Sequence, residues 1–136
     1  MLLREIRAAF WTQMESELRA AGHHLNFSQF ITLKHLAEGT ASVTDLAGIA
    51  QLNPGAMTRL LDKLEQRGIV ARVADPTDRR ALRIHLTEAG IATWNEINHC
   101  GQRVRERATR GMDDADRDTL TRLLTQVRDN LSSPES

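Results

Sequence analysis

The sequence predicts a mainly helical α+β fold in which one short two-stranded hairpin interrupts a run of helices. Three observations carry this expectation. Apolar residues recur at spacings of three and four along most of the 136 residues. Side chains able to cap a helix stand before most of these runs. Only residues 69–73 and 81–86 alternate with period two, and a stretch of turn formers separates them.

The first helix, residues 2–21, carries Leu3, Ile6, Phe10, Met14 and Leu18 on one stripe, widened by Trp11 and ended by Gly22. A stripe this long at one end of a small chain needs something to pack on, and a partner chain would serve. The second helix is announced by Asn26 with Gln29 three residues on, a capping box, with Leu25 and Phe30 as a hydrophobic staple. Phe30, Leu33, Leu36 and Ala37 are expected to point inward until Glu38-Gly39. A third, shorter helix starts from Ser42, with Asp45 at the matching position, and buries Val43, Leu46, Ala47 and Ala50.

Asn53 caps the fourth helix, Pro54 opens it and Gly68 closes it. Met57, Leu60, Leu61 and Leu64 form its buried stripe, while Ala56, Arg59 and Lys63 lie opposite. Two short helices so closely joined, the second with a small and basic outer face, read as a helix-turn-helix. The strands follow at once, with Arg72 and Arg83 at outward positions, and the turn between them ends in Asp78-Arg79-Arg80. Two guanidinium groups at a hairpin tip suit a wing that reaches along a DNA groove. Thr87 caps a helix over about 88–110 with Ile91, Trp94, Ile97, Gly101 and Val104 on one side. Asp113 and Asp116 start the last helix, whose stripe is Leu120, Leu123, Leu124, Val127 and Leu131.

Charge follows the same division. The whole chain is neutral, but residues 53–86 hold seven basic and four acidic side chains, an excess of +3 between segments of −1 and −2. Screening confines each patch to about 8 Å at physiological salt, so the local excess governs what a polyanion meets. The single cysteine, Cys100, excludes an internal disulfide framework and fits a reducing compartment. With neither a membrane-length apolar run nor the charge order of a signal peptide, the expectation is a soluble, cytoplasmic protein.

These residues resemble the MarR-type winged-helix regulators. The match runs from Asn26-Phe27-Ser28-Gln29-Phe30 through Val43-Thr44-Asp45-Leu46-Ala47 and residues 57–65 to Gly68-Ile69-Val70. Asp75-Pro76-Thr77-Asp78-Arg79-Arg80 and Leu86-Thr87-Glu88-Ala89-Gly90 complete it. The resemblance implies one MarR-like domain over residues 1–136. Residues 26–86 would form a winged helix-turn-helix, and residues 2–21 and 88–131 a dimerisation layer. It implies a homodimer, a ligand-responsive repressor on a pseudo-palindromic DNA operator, released by a small molecule. Helix 54–67 then enters the major groove, where Arg59 can bond a guanine bidentately. Gly55, Ala56 and Thr58 permit close approach, and Lys63 meets backbone phosphate. In the wing, the resemblance assigns Arg79 to the minor groove and Asp78 to holding Arg79 or Arg80. Arg72 and Arg83 are phosphate contacts or simply exposed strand residues. Trp11, Met14, Phe27 and His35 are candidate walls of the effector pocket.

Other chemistries find less support. No metal-hydrolase, phosphate-loop or nucleophile motif occurs, so no catalytic residues and no cofactor are expected. Zinc sensing, known in the family, would need His23, His24, His99 and Cys100 to converge. His99 and Cys100 instead diverge by about 100° on a helix, and nothing has ligand spacing. Cys100 departs from the family's thiol-sensor pattern and reads as an inert core residue.

Overall fold

In a computed structural model, which describes residues 1–78 and 82–133, the elements run in the expected order. They are α1 (Leu2–Ala20), α2 (Phe27–Glu38), β1 (Ala41–Ser42), α3 (Val43–Ala50), α4 (Pro54–Gln66), β2 (Val70–Ala74), β3 (Leu82–Leu86), α5 (Glu88–Ala108) and α6 (Asp114–Ser132). The chain divides into two units, residues 1–104 and 105–136. Arg79 and Arg80, the expected wing tip, lie outside the described residues.

The helix starts follow from local chemistry. Asn26 Oδ1 accepts from the Gln29 amide at 2.8 Å, and Gln29 Oε1 accepts from the Asn26 amide at 2.9 Å, which completes the capping box. Ser42 Oγ, Asn53 Oδ1 and Asp113 Oδ1 accept from the third amide of their own helices in the same way. The turn between α3 and α4 spans only Gln51–Asn53, with Gln51 in the left-handed region at φ 56°. Gly68, at φ +74°, ends α4. Its amide donates to Glu65 O and that of Ile69 to Leu64 O, a Schellman closure.

One hydrophobic core occupies the first unit. Leu18 of α1, Leu33 of α2, Leu46 of α3, Met57, Leu61 and Leu64 of α4, Ile84 of β3 and Ile97 of α5 are fully enclosed. The antiparallel sheet has the order β1-β3-β2. The two-residue β1 was not foreseen; it pairs Ala41 with Ile84 and Ser42 with Arg83. Arg83 adds to this junction by donating to Thr40 O at 2.9 Å.

Four apolar stripes are less buried than their periodicity suggests. Leu3 and Ile6 of α1 are exposed, and only Met14 and Leu18 of that stripe reach the core. Ile91 of α5 and Ala37 of α2, both expected inward, are also exposed. In the second unit no residue of α6 is buried, and Leu120, Leu123, Leu124 and Val127 are each 40–47% exposed. Among the described residues no helix is long and apolar enough to cross a membrane.

Candidate nucleic-acid interface

Helix α4 buries Met57, Leu60, Leu61 and Leu64 and turns the opposite face outward, as its periodicity requires. Gly55, Thr58, Arg59 and Lys63 are exposed there, and Ala56 is half-exposed. Thr58 Oγ1 donates to Pro54 O at 2.9 Å, which satisfies the hydroxyl proton and leaves its lone pairs and methyl group outward.

The five described cations of residues 53–86 fall into two groups. Arg67 donates to His24 O at 3.0 Å. Arg83 is engaged by Thr40. Arg72 reaches Asp62 at 2.6 Å and Glu65 at 3.7 Å, with its side chain only 26% exposed. These three charges are already held by protein groups. Arg59 and Lys63, one helical turn apart on the outer face of α4, have no hydrogen-bond or ion-pair partner among the described residues. They border a cleft of about 280 Å³ with Asn26 and Ser28, at the start of α2, as further walls.

Arg72, expected to contact phosphate or simply to be exposed on its strand, is half-buried and ion-paired to α4. Its strand runs beside α4, and the two carboxylates on that helix draw the guanidinium back across the gap. Periodicity placed it outward on β2 but could not show that α4 supplies acidic groups opposite.

At the start of the wing, Asp75 accepts from the Thr77 amide at 2.8 Å and from the Thr77 hydroxyl at 2.7 Å. The Thr77 amide, then its hydroxyl, hold the Asp75 carboxyl below its ordinary value of 3.8, and the Asp78 amide and Arg83 act in the same direction. The Asp78 side chain is exposed at the edge of the described wing, and the arginines it was expected to hold lie beyond that edge.

Of the four expected effector contacts, Trp11 borders a cleft of about 350 Å³ with Arg4, Arg7, Ala8 and Thr12. Met14 is enclosed in the core. Trp11 stacks on Phe27 with ring centroids 5.3 Å apart, and Phe27 meets Phe30 edge-on at 6.5 Å. His35 is half-buried on α2. A different cavity, of about 520 Å³, opens where α2, β3 and α5 meet, walled by Leu36, Thr40, His85, Ile91, Trp94 and Asn95. Trp94 was foreseen only as part of a helix stripe, and its packing on Phe30 at 5.6 Å turns one side of the ring to the core.

Among the described residues no three His, Cys, Asp or Glu side chains are grouped to hold a metal. His23 instead pairs with Glu96 at 3.2 Å. Cys100 is fully enclosed, with Arg103 Nη2 at 3.4 Å, and burial pushes its thiol above the ordinary value despite the opposing Arg103 charge.

The MarR family model matches residues 25–82, from the end of the α1–α2 loop to the start of β3. The HTH-type transcriptional regulator MhqR of Bacillus subtilis is 37% identical over 76 residues, covering 55% of this chain and 52% of MhqR. The chain thus spans about half the length of MhqR, as it does of two further regulators of that organism. The HTH-type transcriptional regulator YkoM, also of B. subtilis and itself uncharacterized, is 30% identical over 128 residues, covering 93% of this chain and 83% of YkoM. Among solved structures, a mutant MarR from E. coli complexed with operator DNA shares the fold, with a TM-score of 0.78 at 24% identity over 93% of this chain and 90% of that one. With a family model over its helix-turn-helix and a 30% identical relative aligned along nearly its whole length, the chain belongs to the MarR family.

Proposed function

We propose that the chain is a sequence-specific DNA-binding transcriptional regulator, acting as a homodimer on a pseudo-palindromic operator through α4 and the wing. The observation that carries this reading is the pair Arg59 and Lys63. They are the described cations of the central segment left without protein partners, and they stand on the exposed face of a helix whose other face is locked in the core. A guanidinium near the N-terminal half of such a helix suits a guanine edge, with Gly55, Ala56 and Thr58 small enough to let the groove floor approach. Lys63, a turn further on, suits phosphate. The wing contributes Arg79 and Arg80 in this reading, with Asp78 steadying one of them. Arg72 acts from behind, by tying β2 to α4. The relatives named above are described as transcriptional regulators, which supports a regulator over an enzyme.

The exposed leucines of α6 and the exposed Leu3 and Ile6 of α1 support the homodimer, since apolar stripes of that length favour a covering surface. Repression relieved by a small molecule is the regulatory part of the proposal, and action on DNA implies a cytoplasmic location. The cavity beside Trp94 combines Leu36, Ile91 and Trp94 with Thr40, His85 and Asn95, a mixed lining suited to a small aromatic compound with polar substituents. Mobility shift of a duplex from upstream of its own gene, at low and at physiological salt, tests the proposal. Retarded bands that survive excess unrelated DNA are the expected result, and no binding even at low salt would refute it.

A further inference from the structure

The junction of α4, β2 and α5 is far more closely tied than its sequence suggests. Gly68 and Ile69 follow α4 directly, and their carbonyl oxygens point to the start of α5. The Thr87 amide donates to Ile69 O at 3.0 Å. The Thr87 hydroxyl lies 2.5 Å from Gly68 O and 3.1 Å from Ile69 O, so its one proton is held between two carbonyls. The same oxygen accepts from the Gly90 amide at 3.0 Å as the N-cap of α5. Gly90 presses on the peptide it faces: a Cβ there would meet Ile69 O at 2.0 Å and the Ile69 carbonyl carbon at 3.1 Å. One residue thus caps the beginning of α5 and covers the carbonyls just beyond the end of α4. No side chain larger than hydrogen fits at Gly90 without moving backbone.

Resting on the DNA-binding reading, we propose that Thr87 and Gly90 are positioning residues for DNA recognition. Together they join the last turn of α4 to the first turn of α5, so that a tilt of α5 is passed to the reading face carrying Arg59 and Lys63. The β2–β3 ladder ends at the Val70–Leu86 pair, directly beside this joint, and the Thr87 and Gly90 contacts carry the connection on into α5. The hydroxyl and the missing side chain act on one peptide from two directions, which leaves the joint little freedom to slip. Cohesion of the two turns, and not contact with DNA, is the assigned role.

The test uses the full chain and its Thr87→Val, Thr87→Ser and Gly90→Ala variants. Duplexes are selected from random DNA by the unaltered protein, and binding is compared on a two-half-site duplex and on a single half-site. Thr87→Val keeps the shape of threonine without the hydroxyl and should weaken two-site binding about tenfold or more, with a smaller loss on the half-site. Thr87→Ser, which restores the hydroxyl, should recover most of that binding. Equal losses on both duplexes, or no rescue by serine, would overturn the proposal. Amide exchange supplies an arm independent of DNA: loss of the hydroxyl should speed exchange at Gly90 and also at Gly68 and Ile69. A change confined to the first turn of α5 would overturn the joint. An unaltered protein that selects no duplex would instead overturn the DNA reading, and the exchange result would still decide the joint. If Gly90→Ala does not fold, the valine and serine pair carries the comparison.

Discussion

Arg59 and Lys63 differ from their neighbours in what is left for them to bind. The expected outcome of Arg59→Ala is a loss of about 1–3 kcal/mol in operator binding, concentrated at one base pair, where specificity relaxes. Lys63→Ala should weaken binding evenly across sequences and lower the salt slope by about one unit. Binding to a panel of single-base operator variants over a range of salt separates the two, and a sequence-independent loss at Arg59 would reassign it to phosphate. Asp75 gives a prediction of another kind. Because its folded value lies below the ordinary carboxylate value, the bonds to Thr77 stabilise the turn at every pH above about 4, and that contribution fades as pH falls through the folded value. A carboxyl titration followed by NMR should place its midpoint below 3.8, and a midpoint at or above 3.8 would mean that the turn does not hold in solution.

Elements were legible in the sequence wherever the interactions that define them are local. The caps at Asn26, Ser42, Asn53, Thr87 and Asp113 each bind an amide three residues on, and all of them form. What stayed hidden depends on which elements become neighbours. β1 is too short to have a period and exists through its pairing with β3. Arg72 is indistinguishable from a free strand residue until Asp62 and Glu65 stand across from it. The ring pair of Trp11 and Phe27 is likewise set by α1 meeting α2 and has no local signature. The outer face of α4 was legible because one amphipathic helix defines both its sides, whereas the cavity needs three elements to converge. Arg72→Ala should therefore lower the urea midpoint of unfolding and weaken operator binding while leaving the salt slope unchanged, because the lost cation is internally paired. A slope reduced by a full unit would return Arg72 to the phosphate contacts.

Over the whole molecule, net neutrality conceals a division of labour. Acidic residues outnumber basic ones in the flanking segments, while the central segment keeps a positive excess, so the charge offered to a polyanion is local. The apolar stripe of α6, bare in the single chain, belongs to the same scale. Leu124→Glu should convert the proposed dimer to a monomer with unchanged helix content and reduced affinity for a two-half-site duplex, as checked by light scattering and titration. A variant that remains dimeric would move the interface elsewhere. The β1–β3 pairing bears on the order in which the molecule assembles. Arg83 and Thr40, which brace it, are 43 positions apart, so closing the sheet costs loop entropy that nothing in the hairpin alone repays. Once α3 and α4 have packed, the ends are already near each other, and the wing root can complete last. Pulse-labelled refolding should then find the amides of the β1–β3 pairing protected after those of α4, on a finished helical base.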